Sequence, residues 1–342
     1  MTEPARSTSR PPLDSESLQA AILAWYDARG RTLPFRGTRD PYAILVSETM
    51  AQQTQIGRVG PAWVAFVGRF PTFEALAAAS PADVQRAWHG LGYNRRALNL
   101  QRAARAVAEE HGGRLPRDIA ELERLPGIGP YTARAVAAIA FGERVGAVDT
   151  NVRRVLGRVV TGDHEALRPV ELQTLADELV PPGRAADWTH AVMDVGATFC
   201  RRTRPSCPPC PARPWCSYGT SVRDDNGRGE PRMTGRSRVP VPAGSRPTGE
   251  VVPFARTNRW LRGRILDRVR DADGSSWTGF ESSIGSHPHE AVVAMMRVLG
   301  REGLLELAPD DECLARLPHE LPATGGGASR RRHSADTAVT RR

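Results

Sequence analysis

The chain has 342 residues and is 40% hydrophobic, enough for one large domain with a core and a smaller second one. Its formal net charge is +9, which asks for a polyanionic partner, nucleic acid before an anionic membrane surface. All 47 basic residues are Arg, so chemistry that needs a Lys amine is excluded. No stretch approaches the roughly 18 apolar residues of a membrane span. The opening "MTEPARSTSRPPLDSES" has no apolar core of a secretory signal. The expected compartment is the cytoplasm, at the nucleoid in a bacterium, where clustered cysteines point to metal rather than disulfides.

Residues 1–14 read as a disordered N-terminus. From Ser15 to Cys200 the pattern is helical. Leu18, Ile22 and Trp25 share one face at i, i+4, i+7. "SPAD" at 80–83 offers an N-cap Ser and Pro at the first helical position. "DIAE" at 118–121 is a capping-box variant. "YTARAVAAIAFG" ends a helix on Gly142, and "AADWTHAVMDVGATFC" runs as a helix into Cys200. Alternating strand patterns are nearly absent, so residues 15–218 are expected to be all-α. Residues 219–255, rich in Gly, Pro, Ser and Arg, read as a flexible linker. Beyond them Leu261, Ile265, Leu266 and Val269 form one helical stripe. Val292, Met295, Met296 and Leu299 form another, and "GLLELA" follows like a short strand. Residues 256–318 therefore make a small module, winged-helix-like or a generic α/β appendage. Residues 319–342 read as a disordered tail.

Three patterns carry chemistry. Cys200, Cys207, Cys210 and Cys216 stand at C-x6-C-x2-C-x5-C, and four thiolates in seventeen residues can close around one metal centre. The species are a [4Fe–4S] cluster or structural zinc, and the wide gaps suit the larger cube. Arg201, Arg202 and Arg204 fill the first gap as a basic knob. "LPGIGPYTA" at 125–133 fits a helix–hairpin–helix, in which Gly127 and Gly129 allow positive φ and expose backbone N–H groups to a DNA phosphate. Glu48, on a helix with Ile44, Leu45 and Ala51, is a carboxyl among apolar neighbours, and its raised pKa suits a general acid. Asp149 stands just before a helix and reads as an N-cap, which can also serve chemistry if its other oxygen faces a pocket.

Together the order of motifs resembles the helix–hairpin–helix DNA glycosylases with an iron–sulfur loop, MutY-type adenine glycosylases most closely. The matching stretches are "RTLPFR" (31–36), "DPYAILVSETMAQQTQ" (40–55), "GLGYNRRALNL" (90–100), "LPGIGPYTARAV" (125–136), "VDTNVRRVLGR" (148–158) and "AVMDVGATFC" with the four-Cys loop. The resemblance covers residues 15–218 and implies a two-lobed fold. It implies removal of adenine mispaired with 8-oxoguanine or guanine in double-stranded DNA, by a monomer, with a [4Fe–4S] cluster on the four cysteines. Glu48 would protonate adenine at N7 and help place water, Tyr131 would support Glu48, and Asp149 would stabilise the sugar cation. Gln53 and Tyr93 would wedge into the stack, with Thr54, Leu91 and Gly92 beside them. Gly127, Gly129, Thr132, Arg201, Arg202 and Arg204 would contact DNA, and Arg31, Leu33 and Phe35 would line the adenine pocket. The hairpin carries Tyr131 where strand-cleaving relatives carry Lys, so the reaction should stop at an abasic site.

The sequence departs from that pattern in places. Phe35 stands where Trp is common, Ala51 where Leu is, and Asn94 where a second Tyr often follows the first. "DTN" replaces the more frequent D-G-N, and no Nudix-like domain follows. Two other readings compete: a thymine or uracil mismatch glycosylase, and a DNA-binding protein without catalysis. Glu48 with "QQTQ" counts against the first, and the pairing of Glu48 with Asp149 against the second.

Overall fold

The helices that frame the site begin where the sequence supplies a cap. The computed structural model describes residues 13–221, 252–272 and 276–321. In it Asp14 accepts from the Ser17 N–H (3.1 Å) and starts α1 (Ser15–Arg29). Asp40 accepts from Tyr42 and Ala43 N–H groups and starts α2 (Pro41–Ala51). Asp118 accepts from the Glu121 N–H (3.0 Å) and starts α7 (Ile119–Arg124). Asp149 does the same with Val152 (2.7 Å) for α9 (Thr150–Val160). Each carboxylate fills an otherwise orphan backbone donor at a helix start.

The remaining helices of this part are α3 (Ile56–Arg69), α4 (Phe73–Ala78), α5 (Pro81–Ala87), α6 (Arg95–Glu110), α8 (Pro130–Phe141), α10 (Pro169–Glu178), α11 (Ala185–Thr198) and α12 (Ser217–Ser221). Gly142 closes α8 at φ +74°, as the sequence leads one to expect. α11 stops at Thr198, so Cys200 lies just past the helix rather than on it. No helix of the described residues is long and apolar enough to cross a membrane.

Two cores divide these helices into two lobes. One, from α2 to α8, is built on Leu45, Met50, Phe66, Trp88, Leu100 and Val136. The other joins α1, α9, α10 and α11 through Leu18, Ile22, Leu156, Leu172, Trp188 and Val195. α8 serves both, since Val136 belongs to the first core and Ala138 to the second. Where α11 crosses α9 only a glycine fits: a Cβ on Gly196 would stand 2.6 Å from the Asn151 Cβ. That contact sets the start of α9, and hence Asp149, against α11.

The chain clusters into two compact units, Met1–Ala79 with Asp83–Val252 and Ser80–Ala82 with Pro253–Arg342. The smaller holds α13 (Asn258–Asp271), β1 (Thr278–Gly279), α14 (His289–Arg301), β2 (Glu306–Leu307) and β3 (Leu314–Arg316). Its antiparallel sheet has the order β1-β3-β2, with Thr278 opposite Ala315 and Glu306 opposite Arg316. The expected stripes pack its core through Leu261, Ile265, Leu266, Val269, Val292, Met296 and Leu299, whereas Met295 is half-buried and Val293 is buried instead. Two helices against a small three-stranded sheet make the module winged-helix-like; its β1 and β3 are too short to leave an alternating pattern.

Most of the expected N-terminal, linker and tail segments lie outside the described residues. At their edges the structure adds order: Leu13 packs on the second core, residues 219–221 finish α12, and residues 254–256 form a 3-10 turn.

Gly196→Ala should lower stability by about 1–3 kcal/mol through overpacking against Asn151. A thermal or urea melt checks this.

Candidate active site

Helix α2 is buried without interruption from Tyr42 to Met50, so Glu48 is enclosed on an apolar wall. The Tyr131 hydroxyl, from α8, donates to Glu48 Oε2 at 3.0 Å, and Met193 Sδ lies 3.9 Å from the same hydroxyl. Burial pushes the Glu48 carboxyl up to about 7. The Tyr131 hydrogen bond and Arg36 pull the other way, and the charge of Asp149 adds to the rise. Burial, with the charges of Glu48 and Asp149, holds the Tyr131 phenol well above its usual range, so it stays a donor.

Asp149 caps α9 with Oδ1, while Oδ2 accepts from Asn151 Nδ2 at 2.9 Å. Each carboxylate oxygen has more than one acceptor position, so capping leaves capacity for a developing positive charge. The site thus holds one carboxyl whose pKa is raised to about 7 beside the side chain of Asp149.

A buried charge cluster closes one side. Asp194 on α11 is fully buried and receives Arg36 Nη1 and Nη2 (2.7 and 2.8 Å), the Arg31 N–H (2.9 Å) and the Arg31 guanidinium. Burial alone would raise the Asp194 carboxyl, but these hydrogen bonds outweigh it and hold it below its usual range. Of the residues expected at the adenine pocket, Arg31 is tied to Asp194. Phe35 is buried edge-on to Trp63 (6.1 Å), and Leu33 packs against the same core. The sequence reading did not single out Arg36 or Asp194, whose partnership spans 158 positions.

Two loops expected to meet DNA stand out by their backbone. Gln53 (φ +54°) and Tyr93 (φ +45°) adopt left-handed conformations that side-chain-bearing residues rarely take, and both are exposed. Gly92 beside Tyr93 has φ +70°. Leu91 differs from expectation: its side chain is buried, and only its carbonyl serves these loops. Thr54 is half-buried and bonded to Arg96.

The hairpin between α7 and α8 corrects two expectations. Gly127 has φ +79°, but Gly129 is extended at φ −99°, so backbone conformation does not require glycine there. A Cβ on Gly129 would meet nothing within 4 Å, so what glycine provides is room for an outside group to approach the backbone. Thr132 is buried and accepts from Gln52 Nε2 (3.1 Å), so its side chain is held inside by the loop after α2 rather than presented at the surface.

The four cysteines are half-buried and unpaired. Burial first, and their mutual charge after it, raise the Cys207, Cys210 and Cys216 thiols, that of Cys210 to about 12. Arg158 Nη1 donates to Cys200 Sγ (3.4 Å), and the Gly219 N–H to Cys216 Sγ (3.3 Å). Arg158 also donates to the Arg201 and Arg202 carbonyls, and Arg154 to that of Cys200. Among the described residues no three His, Cys, Asp or Glu side chains close around a single-ion position. Arg201, Arg202 and Arg204 are exposed.

With that geometry in hand, likeness to known proteins can be placed. A family model described as "HhH-GPD superfamily base excision DNA repair protein" matches residues 46–182. An adenine DNA glycosylase of Mycolicibacterium smegmatis is 41% identical over 255 residues, 73% of this chain and 80% of that protein. A thymine/uracil-DNA glycosylase of Methanothermobacter thermautotrophicus is 35% identical over 202 residues, 58% of this chain and 91% of its own. A solved thermostable thymine-DNA glycosylase superimposes with a TM-score of 0.58 at 33% identity, over 61% of this chain and 97% of that one. The chain belongs to the HhH-GPD superfamily of base excision DNA repair proteins and is a DNA glycosylase.

Because the fold makes Glu48 harder to ionise than the unfolded chain does, its contribution to stability is present below about pH 4.5 and lost as pH rises through about 7. Glu48→Gln should remove that slope: melts from about pH 5 to about pH 8 should show wild type losing stability relative to the variant. Gly129→Ala should weaken DNA binding by about tenfold, the effect of losing a hydrogen bond to a charged group, with the melting temperature unchanged. A fluorescence anisotropy titration reads the first and calorimetry the second.

Proposed function

We propose that this glycosylase removes adenine mispaired with 8-oxoguanine or guanine and leaves an abasic site. The observation that carries this is Glu48, enclosed on α2, raised to about 7, and held by the Tyr131 hydroxyl at 3.0 Å. A neutral carboxyl at that position can give its proton to N7 of a flipped purine. The C1′–N9 bond then breaks, its electron pair leaves with the protonated base, and the sugar is left as an oxocarbenium-like cation. Asp149 stabilises that cation as a carboxylate, and the Tyr131 hydroxyl stabilises Glu48 once it has become one. Water adds to C1′, and its proton passes to Glu48, which restores the acid. Flipping the base costs on the order of a few kcal/mol, less at a mismatch.

Adenine is favoured over thymine because thymine offers no N7 for such an acid. Identity to the adenine glycosylase of Mycolicibacterium smegmatis also extends over more of the chain than identity to the thymine/uracil enzyme. A strand-cleaving step through a Lys Schiff base is excluded, since the chain has no Lys. Cys200, Cys207, Cys210 and Cys216 would hold a [4Fe–4S] cluster, for which half-buried thiols, N–H donors to sulfur and the wide C-x6-C and C-x5-C gaps are suited. When bound, the cluster supplies a rigid centre for the loop and no chemistry on the base. The exposed Arg201, Arg202 and Arg204 would then meet backbone phosphates.

Single-turnover reactions on duplexes with A:8-oxoguanine, A:G or T:G test the reading. The expected result is adenine release from the first two, with strand breaks appearing only after alkali. Release should slow by about tenfold per pH unit above about pH 7 as Glu48 ionises, and Glu48→Gln should bind mismatched DNA without releasing base. Thymine release, or tight binding without release by wild type, would overturn it.

A further inference from the structure

The two loops that carry Gln53 and Tyr93 are joined by one side chain. Helix α2 ends at Ala51 and leaves carbonyls without helical partners. Arg96, at the start of α6, answers them: its Nη1 donates to the carbonyls of Thr49 (2.7 Å), Met50 (3.0 Å) and Gln52 (2.6 Å). Its Nη2 reaches Thr54 Oγ1 (3.0 Å) and, in the other loop, the carbonyls of Leu91 (3.3 Å) and Gly92 (3.2 Å). The guanidinium also lies 5.6 Å from the Tyr93 ring centroid and 5.5 Å from that of Trp88.

Three features separate this from ordinary packing. Gln53 and Tyr93 both hold positive φ, which a side-chain-bearing residue keeps only where its surroundings over-determine it. Arg96 makes no ion pair among the described residues, so its charge is spent on carbonyl dipoles and ring faces. Burial lowers its pKa to about 10, which still leaves it charged near neutrality. Finally, the clamp continues inward: Gln52, whose carbonyl Arg96 holds, donates through its amide to Thr132 (3.1 Å), next to Tyr131 on α8.

We propose that Arg96 is the positioning residue that locks the two loops into a single wedge, so that Gln53 and Tyr93 enter the duplex together and in register with the Glu48–Tyr131 pair. This rests on the reading above that these side chains meet the DNA. The four N–H groups on the two terminal nitrogens of a planar fork can serve both carbonyl sets at once, which a Lys ammonium cannot. Arg96 touches neither base nor sugar; it acts through Gln53 and Tyr93.

The test is a double-mutant cycle of Arg96→Lys with Tyr93→Ala, read two ways on a duplex whose target position faces 8-oxoguanine. One readout is single-turnover adenine release. The other is the fluorescence gain of 2-aminopurine placed at the target position, which reports unstacking before any bond breaks. Each single change should slow release by about tenfold or more, the effect of losing charge-assisted hydrogen bonds. The double variant should be little slower than Tyr93→Ala alone, because both act on one wedge. The 2-aminopurine gain should fall in Arg96→Lys as it does in Tyr93→Ala.

Effects that multiply in the double variant would overturn the proposal. So would slow release by Arg96→Lys with full 2-aminopurine gain. If Arg96→Lys does not fold, Thr54→Val, which removes one acceptor and keeps Arg96, completes the same cycle with the same criteria. A wild type that unstacks 2-aminopurine yet releases no adenine sinks the glycosylase reading and leaves the wedge readable by fluorescence. Release by wild type without any 2-aminopurine gain sinks the wedge and leaves the glycosylase reading standing.

Discussion

Enclosing one carboxyl in an apolar wall is the constraint to which the rest of the site answers. Burial of α2 between Tyr42 and Met50 raises the Glu48 carboxyl to about 7, so a substantial share of it stays protonated near neutrality. A guanidinium nearby would undo that if it paired with Glu48. Arg36 is close enough to lower the Glu48 pKa, yet its two terminal nitrogens are both committed to Asp194. The fully buried Asp194 thus takes up a cation that would otherwise ionise the acid. Asp149 pushes in the helpful direction, since a second negative charge favours the protonated form of Glu48.

Helix α9 ties Asp149 to the cysteine loop by chain geometry. Its first residue follows Asp149, and the side chains of Arg154 and Arg158, one and two turns on, hold carbonyls of Cys200, Arg201 and Arg202. Gly196 lets α11 approach α9 closely enough for this, and Arg154 also bonds the Gly196 carbonyl and Asn151 Oδ1. A single short helix therefore presents a carboxylate at one end and fixes a basic loop along its side.

How much of this could be read from residues alone follows the range of each interaction. Caps at Asp118 and Asp149 and the Gly142 stop are signals confined to a few positions, and they hold. The environment of Glu48 was legible because a helix repeats its neighbours every turn. Asp194 with Arg36, and Arg96 with the ends of two loops, join positions far apart in the chain, and nothing local marks them. "GLGYNRRA" does place an Arg three residues after Tyr93, but only the fold shows that it turns back. Gly129 misled for a different reason: glycine there answers a need for space, not for positive φ. Thr132 and Leu91 are expected beside the DNA from the motifs they sit in, and the fold buries both side chains.

The arginine content itself changes meaning once the structure is known. A net charge of +9 reads as a footprint for DNA. Yet Arg31 and Arg36 are spent on Asp194, Arg96 on the end of α2 and the Tyr93 loop, and Arg154 and Arg158 on the cysteine loop. In most of these places the partners are several carbonyls at different angles, a task for a planar fork rather than for a compact ammonium. Arginine here first builds the rigid frame and only then supplies surface charge. Arg201, Arg202 and Arg204 are exposed in the gap between the first two cysteines. A loop with that much positive charge repels itself, and the inward bonds from Arg154 and Arg158 to its carbonyls offset the repulsion. The same residue type thus holds the loop in place and charges it.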